Sequence, residues 1–334
     1  MKRRAQAGFT LIELMISLVL FSFVIAGVLA VAVSMSQGFR EQRASVTAEG
    51  AVRVPLDFLA DAIRQASPGA PTGLIWDPNT CTQAAIEVYN NSGTGLAIGT
   101  DKLDVIYAAG AVLTSSREIY TSTSTTLQIN DASQLAPGDS VVISDTTQGI
   151  LVKITSITAN NLTIVPQPSC LITPPILPAT PTILGPYPIG SLVIRAQHAW
   201  FYIDYLDGNP QLMFDPDAKA ATVDAEPLAE GVEDLQLVKA IDQTGNGITD
   251  DGTAPTTVDE WIYNIAGDIN PVGGTLRAVR VTLVARTLSG LIGNLKSFNR
   301  PAVEDHAAAA LNSDNFRRRI LRTTAEVRNM SVSP

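Results

Sequence analysis

The sequence predicts an α+β protein with one long N-terminal helix and a mainly antiparallel β-sheet head. Two observations carry this prediction. An almost unbroken apolar run at residues 9–33 leads into a polar stretch with helical periodicity, and short runs rich in β-branched and aromatic residues follow residue 69. These runs do not alternate with helical patterns, which argues against a parallel α/β sheet. With 46% hydrophobic and 16% charged residues, the 334-residue chain is suited to a folded core.

The apolar run is long enough to cross a membrane. As a helix, its 25 residues would span ~37 Å, compared with ~30 Å for the hydrocarbon core of a bilayer. Lys2, Arg3 and Arg4 precede the run, which predicts a cytoplasmic N-terminus and an exported head. No small-residue cleavage site follows it, so we expect the run to be retained as a single-pass anchor.

Glu13 is the one charged residue within the apolar run. A carboxylate in a membrane helix costs roughly 2.5–3.5 kcal/mol at the bilayer centre and less near the interface. One interpretation is that Glu13 reaches lipid headgroups. The other supposes a cut between Gly8 and Phe9, which makes Glu13 the fifth residue. The new α-amino group of one helix then neutralises Glu13 of its neighbour.

Residues 8–14 read Gly-Phe-Thr-Leu-Ile-Glu-Leu and resemble the prepilin cleavage and methylation signature of type IV pilins and type II secretion pseudopilins. The resemblance implies cleavage after Gly8 by a prepilin peptidase and N-methylation of Phe9. It also implies that Glu13 guides docking into a helical filament. Three later segments resemble the PilW family of minor pilins, namely residues 228–236, 278–281 and 314–329.

The resemblance to PilW implies a pilin-like fold and a role in assembly. The expected function is that of a minor pilin that helps initiate or cap a type IV pilus, with no enzymatic activity and no cofactor. The expected partners are the prepilin peptidase, other minor pilins, the major pilin and the inner-membrane assembly platform. The head is expected in the periplasm before the subunit enters the filament. No nucleic-acid partner is expected, because the net charge is −9.

Two other functions stay open. The chain also resembles minor pseudopilins of the J type, which belong to type II secretion and share the same plan. A membrane-anchored binding module or tip adhesin is the alternative from another class, and it would bind its ligand through an inserted β unit at residues 114–168.

The stretch that follows the apolar run, residues 37–67, is predicted to form a stalk helix. Its apolar residues are spaced by three and four, which predicts a helix with one face packed on the head; these residues are Val52, Leu56, Leu59, Ile63 and Ala66. Pro55 is expected to kink or break this helix.

Four parts are predicted along the chain. They are a leader (1–8), a transmembrane and filament-core helix (9–36), an amphipathic stalk helix (37–67) and a β-rich head (68–334) with an inserted small β unit (114–168).

Strands are predicted in the head wherever β-branched and aromatic residues cluster. These runs are residues 84–89, 103–108, 140–144, 162–165, 191–204, 211–215 and 276–288.

Cys81 and Cys170 are the two cysteines of the chain. Both fall on the exported side, where oxidation is expected, so the sequence predicts one disulfide between them. Two unpaired buried thiols are the alternative.

Residues 242–251 form the one metal-like stretch. Its oxygen-bearing side chains and the glycine at the sixth place match the start of a calcium loop. The twelfth place holds Thr253 instead of the usual glutamate. We favour a solvated polar turn, with a weak calcium site as the alternative. The ligands of that site would be Asp242, Thr244, Asn246 and Asp250.

Catalytic motifs are missing from the sequence. It contains no nucleophile elbow, phosphate-binding loop or zinc-binding helix motif. His198 lies in an apolar run, which predicts a hydrogen-bonded histidine of the core or of a strand face. His306 has no evident partner, and the basic run at residues 317–319 is predicted to be a solvated strand or turn.

Overall fold

The computed structural model describes residues 10–78, 82–121, 124–165, 185–218, 224–247, 249, 260–263, 274–288, 298–308 and 314–330. The chain divides into two compact units, Met1–Thr47 and Ala48–Pro334. Together they contain one long helix and a largely antiparallel β head, which confirms the predicted α+β class. Cys81 and Cys170 lie outside the described residues, so the disulfide stays a prediction.

The long helix, α1 (Leu11–Arg64), continues through Pro55, so the break considered at this proline is absent. Pro55 removes one N–H donor, but its fixed φ is compatible with a helix. The predicted stripe is buried, with Val52, Leu59, Ile63 and Ala66 fully inaccessible. The helical spacing of these residues therefore marks the face that packs on the head, as expected.

Within the described residues, the head forms fifteen strands. They are β1 (Leu74–Asp77), β2 (Thr82–Ala84), β3 (Ile86–Tyr89), β4 (Lys102–Ser115), β5 (Thr126–Gln128), β6 (Ser140–Ser144), β7 (Gly149–Thr158), β8 (Asn161–Ile164), β9 (Leu192–Leu206), β10 (Asn209–Asp215), β11 (Glu226–Glu230), β12 (Val232–Asp242), β13 (Trp261–Ile262), β14 (Thr275–Arg286) and β15 (Arg318–Glu326).

The larger sheet is organised around β9. This strand pairs with β4 along one edge and with β10 and then β6 along the other. A tight turn joins β9 to β10, and its two residues, Asp207 (φ 51) and Gly208 (φ 78), both adopt positive φ. An Asp-Gly pair suits such a hairpin turn because both positions need the left-handed conformation. Among the described pairings, only β1 with β7 is parallel.

The smaller sheet has the order β13-β12-β14-β15, with antiparallel pairings. Its inner face joins the buried side of α1 and residues of β4 and β9 in one hydrophobic core. Phe201 lies fully buried in this core, and its ring packs at 5.7 Å from Phe58 of α1 and at 5.2 Å from Phe214.

The predicted insert, residues 114–168, contains β5 to β8. Most members of a second hydrophobic cluster lie in it, and Tyr120, Leu127 and Ile143 are fully buried there, but Trp76, Tyr187 and Val193 from outside the insert also belong to this cluster. Its strands are also tied to the larger sheet, because β6 pairs with β9 and β7 pairs with β1.

Candidate functional site

The first part of α1 presents apolar side chains on every side. From residue 11 to residue 33 the large apolar side chains are between 42% and 79% exposed, and they occupy almost successive positions. A helix that is apolar all round needs a lipid or protein environment. This helix is long and apolar enough to cross a membrane.

Glu13 is bonded to the start of its own helix. Its Oε2 accepts hydrogen bonds from the Thr10 N–H (3.1 Å) and the Thr10 hydroxyl (2.9 Å), while the Glu13 N–H donates to Thr10 Oγ1 (3.4 Å). This reciprocal arrangement is a capping box, and the spacing Thr-x-x-Glu is its sequence signal. This capping box was not among the features predicted from the sequence. Gly8 and Phe9 lie outside the described residues, so cleavage and methylation there stay predictions.

His198 forms a buried polar centre in the head. Its Nδ1 lies 2.6 Å from Asp77 Oδ2 and its Nε2 lies 2.5 Å from Asp104 Oδ1. Trp200 Nε1 donates to the other oxygen of Asp104 at 2.8 Å. Burial alone would lower the pKa of His198, but the bonds and charges of Asp104 and Asp77 raise it to about 9. Both ring nitrogens are engaged, so His198 is the hydrogen-bonded histidine that was predicted.

His306 belongs to a second polar cluster, so the expectation that it has no partner was wrong. Its Nδ1 lies 2.8 Å from Oδ2 of Asp234, a fully buried carboxylate on β12, and Arg300 donates to the same oxygen at 2.8 Å. Asp234 is 72 positions away from His306 in the sequence, and no local pattern reveals such a pairing.

Arg318 corrects another expectation, because it is not a solvated residue. Its side chain is 5% exposed and forms ion pairs with Glu233 at 2.5 Å and Asp314 at 2.6 Å. Together these bonds attach β15 to the start of β12 and to the segment that precedes β15.

Asp242, the first residue of the calcium-like stretch, is buried and bonded to protein donors. Its Oδ2 accepts from Arg277 at 2.8 Å and from the Gly247 N–H at 2.9 Å, and its Oδ1 accepts from the Gly245 N–H at 2.6 Å. Burial alone would raise the pKa of Asp242, but Arg277 and the backbone donors lower it. Asp250 lies outside the described residues, and calcium binding by this stretch stays a prediction.

A cavity of about 710 Å³ lies where the insert meets β9. Its wall carries charges of both signs, from Asp139, Lys153, Arg195 and Asp217. His198 also contributes to the wall, but its ring nitrogens are held by carboxylates and do not provide a general base.

Two family models match the chain. The model of the prokaryotic N-terminal methylation motif matches residues 3–29, which include Gly8, Phe9 and Glu13. The model of type IV pilus-assembly protein W, PilW, matches residues 200–329, which include β10 to β15. The two matches support a PilW-like type IV minor pilin. A comparison with curated proteins found no match.

These matches confirm the resemblance inferred from residues 8–14 and from the three later segments, and they assign the chain to pilus assembly. Both matched families are structural. The methylation motif implies processing by a prepilin peptidase and assembly into a pilus. Together with the apolar part of α1, it indicates that the PilW-like chain is anchored in a membrane.

Proposed function

We propose that this PilW-like chain enters the pilus through α1 and helps to initiate or cap the filament. The supporting observation is the exposed apolar surface over residues 11–33, interrupted by Glu13. Burying such a surface is strongly favourable. The lipid bilayer covers it before assembly, and the helices of neighbouring subunits cover it afterwards.

Glu13 sets the position of the helix among its neighbours. The basic residues 2–4 keep the leader in the cytoplasm. The prepilin peptidase then cuts after Gly8, and Phe9 receives the methyl group. The α-amino group of one subunit pairs with Glu13 of the next, because two opposite charges in a low-dielectric environment attract strongly.

The head, on the periplasmic side, selects the partners, which we expect to be other minor pilins, the major pilin and the inner-membrane assembly platform. None of the features seen in the described residues favours the J-type pseudopilin or the adhesin. A deletion strain separates these functions. We expect it to lose surface pili and to keep type II secretion, whereas normal pili with lost secretion would contradict the proposal.

Substitution of Glu13 tests its role in assembly. Glu13→Ala should leave membrane insertion intact, because it removes a charge from an apolar segment, and should reduce the amount of the protein in sheared pili at least tenfold. The control is Glu49→Ala, which removes the same charge from an exposed i,i+4 pair with Arg53 on the same helix. Equal incorporation of both variants, measured by immunoblot of pili and membranes, would exclude the role assigned to Glu13.

Cleavage after Gly8 is tested separately. Gly8→Ala should block removal of the leader, because a methyl group at the scissile residue fills space that the peptidase needs. Gln6→Ala, two residues earlier, should be processed normally. Mass spectrometry of the purified protein measures the N-terminus, and a Gly8→Ala protein that begins at Phe9 would contradict the assignment.

A further inference from the structure

Three carboxylates meet at the end of β10. Asp215 is the last residue of this strand, and Asp217 and Asp224 follow in the connection to β11. One carboxylate oxygen from each lies within 4.8 Å of the other two. The side chains range from fully buried (Asp215) through half-buried (Asp217) to exposed (Asp224). The group therefore extends from the interior to the surface.

Asp215 carries one oxygen to which none of the described residues donates a hydrogen bond. Its Oδ1 accepts from the N–H groups of Asp217 (3.2 Å) and Ala218 (3.1 Å). Its Oδ2 is buried and has no hydrogen-bond partner among the described residues. A buried carboxylate oxygen without a donor is costly, and a bound cation would offset that cost.

We propose that Asp215, Asp217 and Asp224 bind a calcium ion. Carboxylate oxygens are the ligands that Ca²⁺ prefers, at roughly 2.3–2.6 Å, so two oxygens on opposite sides of the ion lie roughly 4.6–5.2 Å apart. Oxygens no more than 4.8 Å apart are close enough to bind one such ion together. Mg²⁺ demands near-ideal octahedral geometry and loses its waters reluctantly, so three carboxylates with water as the remaining ligands favour Ca²⁺.

The cluster also has room for the ligands that the protein does not supply. Calcium takes 6–8 oxygen ligands, and three carboxylates provide only part of them. Asp217 lines the cavity beside β9, so water reaches the ion from that side. Asp242 is a weaker candidate for a calcium ligand, because Arg277 already neutralises its carboxylate. The site at Asp215 is independent of the role proposed for α1.

Calcium titration of the full-length protein in detergent micelles, after removal of metal with a chelator, tests the site. We expect one binding event by calorimetry, with Ca²⁺ bound at least tenfold more tightly than Mg²⁺. Asp224→Asn should weaken the binding at least tenfold, while Asp242→Asn should leave it unchanged. Asp224 is exposed and Asp217 is half-buried, so their Asn variants avoid the folding defect expected for a change at Asp215.

Terbium luminescence locates the ion independently. Trp200 is the cross-strand neighbour of Asp215, so Tb³⁺ bound at the cluster should be sensitised by aromatic excitation and displaced by Ca²⁺. Loss of this emission in Asp217→Asn and Asp224→Asn supports the site. No heat at millimolar calcium would overturn the proposal. So would emission and affinity that survive in both variants, or that disappear in Asp242→Asn instead.

Discussion

At the scale of single residues, His198 links three strands through its two carboxylate partners. The charged imidazole is stabilised in the folded head, where its pKa is about 9, above the ordinary value of about 6.5. Its contribution to stability is therefore fully present below pH 6.5 and is lost as the pH rises through 9. One pKa unit corresponds to ~1.4 kcal/mol, so the expected loss is on the order of 3 kcal/mol.

The measurement is the free energy of unfolding of the purified protein at several pH values, followed by the near-ultraviolet circular dichroism of its tryptophans. His198→Gln should be less stable at pH 6.5 and should lose less stability between pH 6.5 and 9. Asp101 also titrates within this pH range, because burial raises its pKa to about 7. It is present in both proteins, so it does not account for a difference between them. An equal pH dependence in the two proteins would contradict the charged state assigned to His198.

Sequence reasoning identified His198 as a bonded histidine but not its partners. Asp77 and Asp104 lie 121 and 94 positions away in the sequence, and the topology of the sheet alone brings them to the ring. The same limit explains the errors at His306 and Arg318. The cluster at Asp215 was missed for a related reason, since no local pattern shows that Asp224, nine positions along the sequence, lies beside Asp215.

At the scale of elements, the ion pairs of Arg318 fix β15 at the edge of the smaller sheet. Arg318→Met should destabilise the head by ~3 kcal/mol, because it leaves the carboxylates of Glu233 and Asp314 without their counter-ion. Arg319→Met is the matched control, since Arg319 is the exposed neighbour on the same strand. Denaturant unfolding compares the two variants. Equal stability would show that the pairs contribute nothing measurable.

The elements that could be predicted are those with a clear period. The stripe from Val52 to Ala66 predicted the buried face of α1, and residues 140–144 coincide with β6. Other strands lack such a pattern. The central strand β12 is largely buried on both faces, so its apolar and polar residues do not alternate as in a half-exposed strand. The edge strand β15 carries arginines whose partners come from distant segments.

At the scale of the whole molecule, the predicted bond between Cys81 and Cys170 would close a loop that contains most of the larger sheet. The loop of about 90 residues is ideally worth ~4 kcal/mol, mainly because it restricts the unfolded chain. Reduction should therefore lower the melting temperature of the wild-type protein, while the double variant Cys81→Ser, Cys170→Ser should be insensitive to the reductant. Two titratable thiols in the native, unreduced protein would contradict the prediction.

The general plan could be inferred from the sequence because its strongest signals are local. The methylation motif and the apolar run each occupy a continuous stretch, and the match to PilW confirmed the later segments. The way in which β6 and β7 join the larger sheet could not be inferred. It depends on pairings between residues about 50 to 75 positions apart. The local sequence pattern does not indicate which of these residues pair with one another.

The capping box of Thr10 and Glu13 has a consequence for subunits that are still monomeric in the bilayer. An acid that already accepts two hydrogen bonds from its own helix has recovered part of the solvation that water would provide. A single subunit can therefore keep this charge in the bilayer without pairing with another subunit. A minor pilin, which is needed in few copies, can in this way stay monomeric in the membrane until it enters a pilus.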